Sequence, residues 1–240
     1  MPPLPVVSAI LDMENVVKRN GIKEYSSLEG WTGSSWGGNE IDFWTISLQW
    51  GERPVGRNYY ALEMHEKRTL IEGVPSQWVR EGKFNDGIYV SDLSKLQDNP
   101  EVEVFEVQEI DLGGGTTINY DTYRFPILLM SDMAFTPDDA SLTLLKRTLN
   151  NFIGVANRNH IQQNVFPKFH HTITLRVRHI TEATFRYYRS LTLQSIGLDF
   201  FTEPVNIISN IENGYGCFTV FSAVDFQLLE YESVDYSGNW

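Results

Sequence analysis

The alternation of apolar and polar side chains is clearest between Thr172 and His179. The two sets of alternating residues are Ile173, Leu175 and Val177, and Thr174, Arg176 and Arg178. Side chains of a strand point to opposite faces in turn, so this period of two is typical of a strand with one buried and one wet face. The pattern predicts that the first set is buried and that the second is largely exposed.

The spacing becomes helical directly after this strand. Phe185, Tyr188 and Leu191 recur at intervals of three residues, which predicts a short amphipathic helix over Thr184–Gln194. Thr181 precedes it, and its hydroxyl is placed to accept a hydrogen bond from an amide of the first helical turn. We expect this helix to lie across the sheet that contains the strand.

Other segments show the period of two or short apolar runs. Two clear strands are predicted at Ile41–Trp50 and Asn58–His65, where Trp44, Ile46, Leu48 and Trp50 share one face and Tyr60, Leu62 and Met64 share another. Weaker strand predictions are Val6–Val17, Gln77–Val79, Gly87–Val90, Val102–Ile110, Ile127–Phe135 and Tyr215–Phe221.

A second helix is predicted around Leu142. Thr136-Pro137-Asp138-Asp139 resembles a helix start, with a capping Thr, Pro at the first position and acids in the first turn. Leu142, Leu145 and Leu149 then follow at helical spacing.

These elements predict a mainly β fold formed by a single domain over residues 1–240. The strand ending in Trp50, the turn with Pro54 and Gly56, and the strand opening with Tyr59-Tyr60 favour an immunoglobulin- or fibronectin-like sandwich with one crossing helix and long loops. We interpret the Pro-rich residues 1–5 as the remnant of a linker.

Composition narrows the classes of partner. The net charge of −12 argues against binding a nucleic-acid backbone or anionic lipid headgroups, both of which attract basic surfaces. The single cysteine, Cys217, excludes a disulfide framework and a cysteine-based zinc cluster. Gly113-Gly114-Gly115 lacks the spacing of a phosphate-binding loop, so no cofactor is expected.

Candidate catalytic groups are few. His170 and His171 adjoin on a strand and must point to opposite faces, so they cannot chelate a metal together. Glu203 and Glu212 allow a paired-carboxylate hydrolase, but Glu203 could equally accept from loop amides and Glu212 precedes a turn. We therefore expect no catalytic residue and no metal ligand.

Two tryptophans offer a binding site. Trp31 and Trp36 lie in a Gly- and Ser-rich loop over Ser26–Asn39, where aromatic side chains suit contact with a partner. They could equally fold back over the edge of the sheet, and the pattern does not separate the two interpretations.

The C-terminal third resembles a known family. Tyr187-Tyr188-Arg189-Ser190-Leu191, Phe201-Thr202-Glu203-Pro204-Val205 and Ser209-Asn210-Ile211-Glu212-Asn213-Gly214-Tyr215-Gly216-Cys217-Phe218 are similar to the signature of domain-of-unknown-function family 4249. Weaker similarity at Pro2-Pro3, Asn58–Leu62 and Met130–Phe135 extends the resemblance over nearly the whole chain. Members of the family that the chain resembles are lipoproteins of Bacteroidota, and their genes often lie beside those of TonB-dependent outer-membrane receptors.

The resemblance implies a non-catalytic cell-surface lipoprotein domain that assists such a receptor in capturing or taking up a nutrient. A glycan or peptide ligand is also expected from it. The alternatives are a hydrolase of surface glycans or peptides and a structural or adhesion domain. Because residues 1–5 contain neither the lipoprotein signal nor the anchoring cysteine of the family, we expect this chain to be its C-terminal portion, with the membrane reached only through an anchor outside this chain.

The signature residues are interpreted as structural. Phe201 and Val205 are expected to pack under the helix that bears Tyr188 and Leu191, with Glu203 and Pro204 shaping the loop between them. The remaining signature residues are Asn210, Asn213, Gly214 and Gly216. The two asparagines are expected to bind turn backbone and Gly214 to have positive φ.

Overall fold

A computed structural model describes residues 6–20, 22–24, 40–52, 55–73, 81–91, 122–135, 140–148, 168–196, 208–212, 214 and 216–234. Within these ranges the chain is mainly β, as predicted. Its strands are β1 (Val6–Asn20), β2 (Ile22–Glu24), β3 (Glu40–Trp50), β4 (Tyr59–Glu72), β5 (Gly82–Asn85), β6 (Ile88–Val90), β7 (Thr122–Phe125), β8 (Leu128–Ser131), β9 (Ser141–Arg147), β10 (Lys168–Ile180) and β11 (Ser222–Val234).

The strands form two sheets. Sheet A has the order β1-β3-β9-β6-β7-β2, and sheet B has the order β11-β10-β4-β5, with β8 also paired to β4. Neighbours are antiparallel apart from β2 and β7, which run parallel. Several paired neighbours, such as β3 and β9, are distant in the chain, because the chain passes from one sheet to the other between them, which is typical of a sandwich.

The core lies between the two sheets. From sheet A it takes residues such as Ile46 and Leu48, and from sheet B it takes Tyr60, Leu62 and Leu175, all fully buried. Burying these side chains supplies the main stabilisation, at about 25 cal/mol for each Å² of apolar surface removed from water. The chain is therefore a β-sandwich. Its assignment to the immunoglobulin or fibronectin type stays a prediction.

Strand β10 confirms the alternation found in the sequence. Ile173, Leu175 and Val177 face the core and are buried, and β10 pairs with β4 and β11 along its length, with one register shift in each pairing. The opposite face is less exposed than expected. The side chain of Arg178 is only 11% exposed because Glu63 binds its guanidinium and Phe221 packs against it.

The predicted helix is α1 (Glu182–Ile196). Thr181 caps it, since its Oγ1 accepts a hydrogen bond from the Thr184 amide over 3.2 Å. Phe185 is buried against Tyr59 on the outer face of sheet B, with the two rings 4.8 Å apart. Tyr188 packs against the same apolar group, so the helix covers one end of that face.

The second predicted helix is wrong. Residues 141–147 form β9, which lies between β3 and β6 in sheet A. Leu142 and Leu144 face the core, and Leu145 lies on the other face beside Phe43. A strand buried on both faces has apolar residues in neighbouring positions, and over seven residues this cannot be told from a helical stripe.

The predicted strand Tyr215–Phe221 is also wrong in its position. The described residues of this segment, 216–221, are irregular, and the strand begins only at Ser222. Strand β11 is thirteen residues long and pairs with β10 through all of them except Leu228, where the register shifts. Its alternation of Val224 and Phe226 with Asp225 and Gln227 was a signal that the sequence analysis did not use.

Candidate functional site

A cluster of polar side chains lies at one end of the apolar face of sheet B. It consists of Glu66, Arg68, His171, Tyr231 and Ser233, and we call it the His171 cluster. The strand pairings place all five on the side that faces sheet A. In β11 the register shift at Leu228 turns the odd-numbered residues after it to that side. Glu66 is 8% exposed and His171 is 6% exposed, so the acid and the imidazole are both buried.

His171 lies at the centre of the cluster. Its Nδ1 is 2.6 Å from Oε1 of Glu66, and its Nε2 is 2.5 Å from Oγ of Ser233. The pairing of β10 with β4 and β11 brings these groups together, because His171 lies opposite Arg68 on one side and Tyr231 on the other. Glu66 and Ser233 are then its diagonal neighbours, within the reach of long side chains.

Tyr231 fixes the plane of the imidazole. The two rings are stacked 4.4 Å apart and only 10° from parallel. The Tyr231 hydroxyl also donates a hydrogen bond of 3.3 Å to Glu66 Oε1. Burial and the Glu66 charge both raise the pKa of Tyr231, so the phenol remains a neutral donor.

Glu66 is held as a carboxylate. Its burial by itself would raise its pKa, but hydrogen bonds from His171 and Arg68 and the charge of Arg68 outweigh that effect and lower the pKa to about 2. Arg68 binds both oxygens, through Nε at 3.1 Å and Nη2 at 2.9 Å, and lies over the ring of Phe84. Contact with Glu66 in turn raises the pKa of Arg68.

The acid determines which ring nitrogen of a neutral His171 carries hydrogen. A carboxylate can only accept, so Nδ1 must be the donor to Glu66. Nε2 then has its lone pair directed at the hydroxyl of Ser233, which donates to it. The hydroxyl, imidazole and carboxylate thus form one hydrogen-bonded chain, an arrangement in which imidazole can act as a general base.

A second surface lies beside helix α1 and includes part of the family signature. We call residues 208–212 and 216–221 the signature segment. Three of the four residues at positions 218–221 expose apolar side chains, with Phe218 73% exposed, Val220 53% and Phe221 42%. Thr219 lies between them and binds Thr184 of the helix through a hydroxyl pair at 2.9 Å.

Hydrogen bonds order this segment. Asn210 accepts from the Phe218 amide at 2.8 Å and donates to the Phe218 carbonyl at 2.6 Å. Ser190 of helix α1 accepts from the Ile208 amide, and Ser209 donates to the Gly216 carbonyl. The prediction that Asn210 binds turn backbone is therefore confirmed.

Gly214 and Gly216 are required for reasons that differ from our prediction. Gly214 does not have positive φ, whereas Gly216 has φ of 111°. A Cβ on Gly214 would lie 2.7 Å from Cγ2 of Ile211. Gly214 is therefore required by close packing and Gly216 by the left-handed backbone.

The remaining predicted residues have varied outcomes. Tyr188 and Leu191 lie partly buried on helix α1, and Glu212 is exposed. Cys217 is half-buried in an irregular stretch, and not in a strand as expected. The predictions for Trp31, Trp36, Val102–Ile110, Phe201, Glu203, Pro204, Val205 and Asn213 lie outside the described residues.

The histidines of β10 face opposite sides, as predicted. His170 pairs with Glu230 on the outer face, while His171 joins the buried cluster. In the described ranges no three His, Cys, Asp or Glu side chains come close enough to hold a metal ion.

Sequence reasoning considered His171 only as a metal ligand and missed the other four residues of the His171 cluster. Glu66 has the parity of Tyr60, Leu62 and Met64, so a longer β4 would have placed a carboxylate on the core face. Ser233 and Tyr231 belong to β11, which was not predicted. The link from Glu66 through His171 to Ser233 spans three strands and follows only from their register.

The fold and these two surfaces define a β-sandwich with an ordered, partly apolar segment on one flank and a buried polar cluster between its layers. Residues 6–227 match the family model described as Domain of unknown function (DUF4249), so the chain belongs to this family. The comparisons with curated proteins and with solved structures gave no match. No helix in the described part of the chain has the length and apolar character needed to span a bilayer.

Proposed function

We propose that this chain is a cell-surface domain that acts by contact with another protein, and that this protein is a TonB-dependent outer-membrane receptor. The observation that carries the proposal is the exposure of Phe218, Val220 and Phe221 on a segment that hydrogen bonds hold in place. Neighbouring large apolar side chains in contact with water are typical of a protein interface.

The side chains beside the segment also suit an interface. Arg178 lies over the ring of Phe221 with its guanidinium carbon 5.1 Å from the ring centroid. Arg176 next to it is held by two hydrogen bonds of 2.7 Å to Asp225. Aromatic residues and arginines contribute most of the energy in many interfaces, and side chains that are already ordered lose little entropy on binding.

The choice of partner rests on family membership and on the resemblance described above. A receptor in the outer membrane would meet this domain at the cell surface if a lipid anchor in the full-length protein holds it there. We propose this location and the accessory role in nutrient uptake together, and neither requires a catalytic group in the signature segment.

The test is co-purification of the receptor with the full-length protein from its own outer membrane. We expect Phe218→Ser together with Phe221→Ser to abolish co-purification of the receptor. The matched control is Ile10→Ser together with Met133→Ser, which removes exposed apolar side chains elsewhere and should leave receptor recovery unchanged.

A third variant, Trp31→Ala with Trp36→Ala, distinguishes the two candidate contact sites. If the Phe218/Phe221 variant retains the receptor and the tryptophan variant loses it, the interface lies in the Ser26–Asn39 loop. Recovery of the receptor with all variants would refute the proposed contact.

A further inference from the structure

The arrangement of Ser233, His171 and Glu66 points to a catalytic function that the partner contact does not explain. We propose that Ser233 is a nucleophile toward carboxylic esters, with His171 as its general base and Glu66 as the group that orients and supports the base. This inference does not depend on the receptor contact, because the cluster lies on the inner face of sheet B and the signature segment lies beside helix α1.

The geometry meets the requirements for such a role. The two hydrogen bonds, 2.5 Å from Nε2 to Ser233 Oγ and 2.6 Å from Nδ1 to Glu66 Oε1, join the groups in the order that serine acyl-transfer enzymes use. The acid and imidazole are buried while Ser233 is half-buried, so accessibility increases toward the nucleophile. The stacked Tyr231 ring keeps the imidazole in the plane of both bonds.

The other histidines of β10 show what is particular to this site. His170 lies on the outer face, where its Nε2 is 2.8 Å from Glu230. His179 is buried on the core face beside Tyr60, and its Nδ1 has no hydrogen-bond partner among the residues that the structure describes. Burial lowers the pKa of His179 and outweighs the opposing effect of the Asp132 charge, whereas His171 is hydrogen-bonded directly to its acid.

The proposed reaction proceeds in two steps. Oγ of Ser233 attacks the ester carbonyl carbon while its proton passes to Nε2 of His171. The bond to the alcohol oxygen breaks and Nε2 returns the proton to that oxygen, which leaves an acyl-serine. Water then attacks the acyl-serine through the same base, releasing the carboxylic acid and restoring the serine hydroxyl. Esters suit the site because a single base can protonate their alcohol leaving group.

The test uses p-nitrophenyl acetate as the acyl donor and measures acetylation of each serine by peptide mass spectrometry. A positioned general base contributes about 10²- to 10⁴-fold, so Ser233 should be acetylated at least about 100-fold faster than exposed Ser47. His171→Asn should remove this difference, and the matched control His170→Asn should retain it. Thermal unfolding of each variant shows whether the sandwich is intact.

A second measurement remains informative if His171→Asn does not fold. Ser233→Cys and Ser47→Cys are compared in a Cys217→Ser background by the pH dependence of alkylation with iodoacetamide. A thiol beside a base that can take its proton reacts at lower pH than an ordinary one, whose pKa is about 8.5. We expect this shift for Ser233→Cys only.

Two results would overturn the proposal. One is acetylation of Ser233 at the rate of Ser47 in the folded wild-type chain. The other is alkylation of the two introduced thiols with the same pH dependence. Either result would mean that the cluster stabilises the sandwich and has no catalytic role. Neither result would change the interpretation of the receptor experiment.

Discussion

The substitution Glu66→Gln tests the electrostatics of the buried cluster. The folded chain lowers the pKa of Glu66 from 4.5 to about 2, chiefly through His171 and Arg68 acting against burial. This gap corresponds to about 3 kcal/mol at about 1.4 kcal/mol for each pH unit. Gln keeps the size of the side chain but removes the charge, so the variant should unfold with a free energy lower by about 3 kcal/mol near neutral pH.

The pH dependence identifies the cause of this loss. A carboxyl group with a lowered pKa in the folded state stabilises the chain above its unfolded pKa, and this stability is lost as the pH falls from 4.5 toward about 2. Near pH 3.5 about 60% of the effect, roughly 2 kcal/mol, should remain. The free energies of unfolding of wild type and Glu66→Gln should therefore differ by less at pH 3.5 than at neutral pH.

The assay is urea unfolding of both chains near pH 7 and near pH 3.5, followed by tryptophan fluorescence. Glu182→Gln is the control, since Glu182 forms an exposed ion pair with Arg186 on helix α1 and such pairs contribute about 0–1 kcal/mol. The reasoning would be refuted if the free energies of unfolding of wild type and Glu66→Gln differed by the same amount at both pH values. A difference below about 1 kcal/mol near neutral pH would refute it as well.

Three further predictions concern the core and the turns. Leu175→Ala should lower the free energy of unfolding by about 2–5 kcal/mol in urea titration because Leu175 is fully buried, and a loss near zero would contradict its place in the core. Gly216→Ala should cost about 1–3 kcal/mol because φ is 111°, and its melting temperature should fall further than that of Gly214→Ala, whose neighbour Ile211 is exposed and can move. Burial lowers the pKa of His179, so stability should fall as the pH drops below about 6.5, and calorimetry of His179→Phe should show a weaker dependence in that range.

The local pattern of the sequence was sufficient for part of the fold. Strand β10, the core positions of β3 and β4, and helix α1 with its Thr181 cap were all predicted correctly. In each case one face is buried and the other meets solvent or a neighbouring element. The periodicity of the chain then repeats the periodicity of the backbone, and few alternatives fit.

Prediction from the sequence was wrong where a strand is buried on both faces and where the backbone is irregular. Strand β9 contains apolar residues on both faces, so its leucines also fit a helix. Gly214 and Gly216 lie two residues apart, and only the folded segment shows which one requires positive φ. Single-residue backbone angles depend on contacts such as that with Ile211, which no local pattern encodes.

The candidate sites were decided by tertiary structure. Glu66, His171 and Ser233 are far apart in the chain and become neighbours only because β4, β10 and β11 adopt one register. A slip of one residue in either pairing would move a member of the cluster to the other face of the sheet. The sequence therefore determined that a strand would bury one face at His171, and the pairing of three strands determined that an acid and a hydroxyl would meet it there.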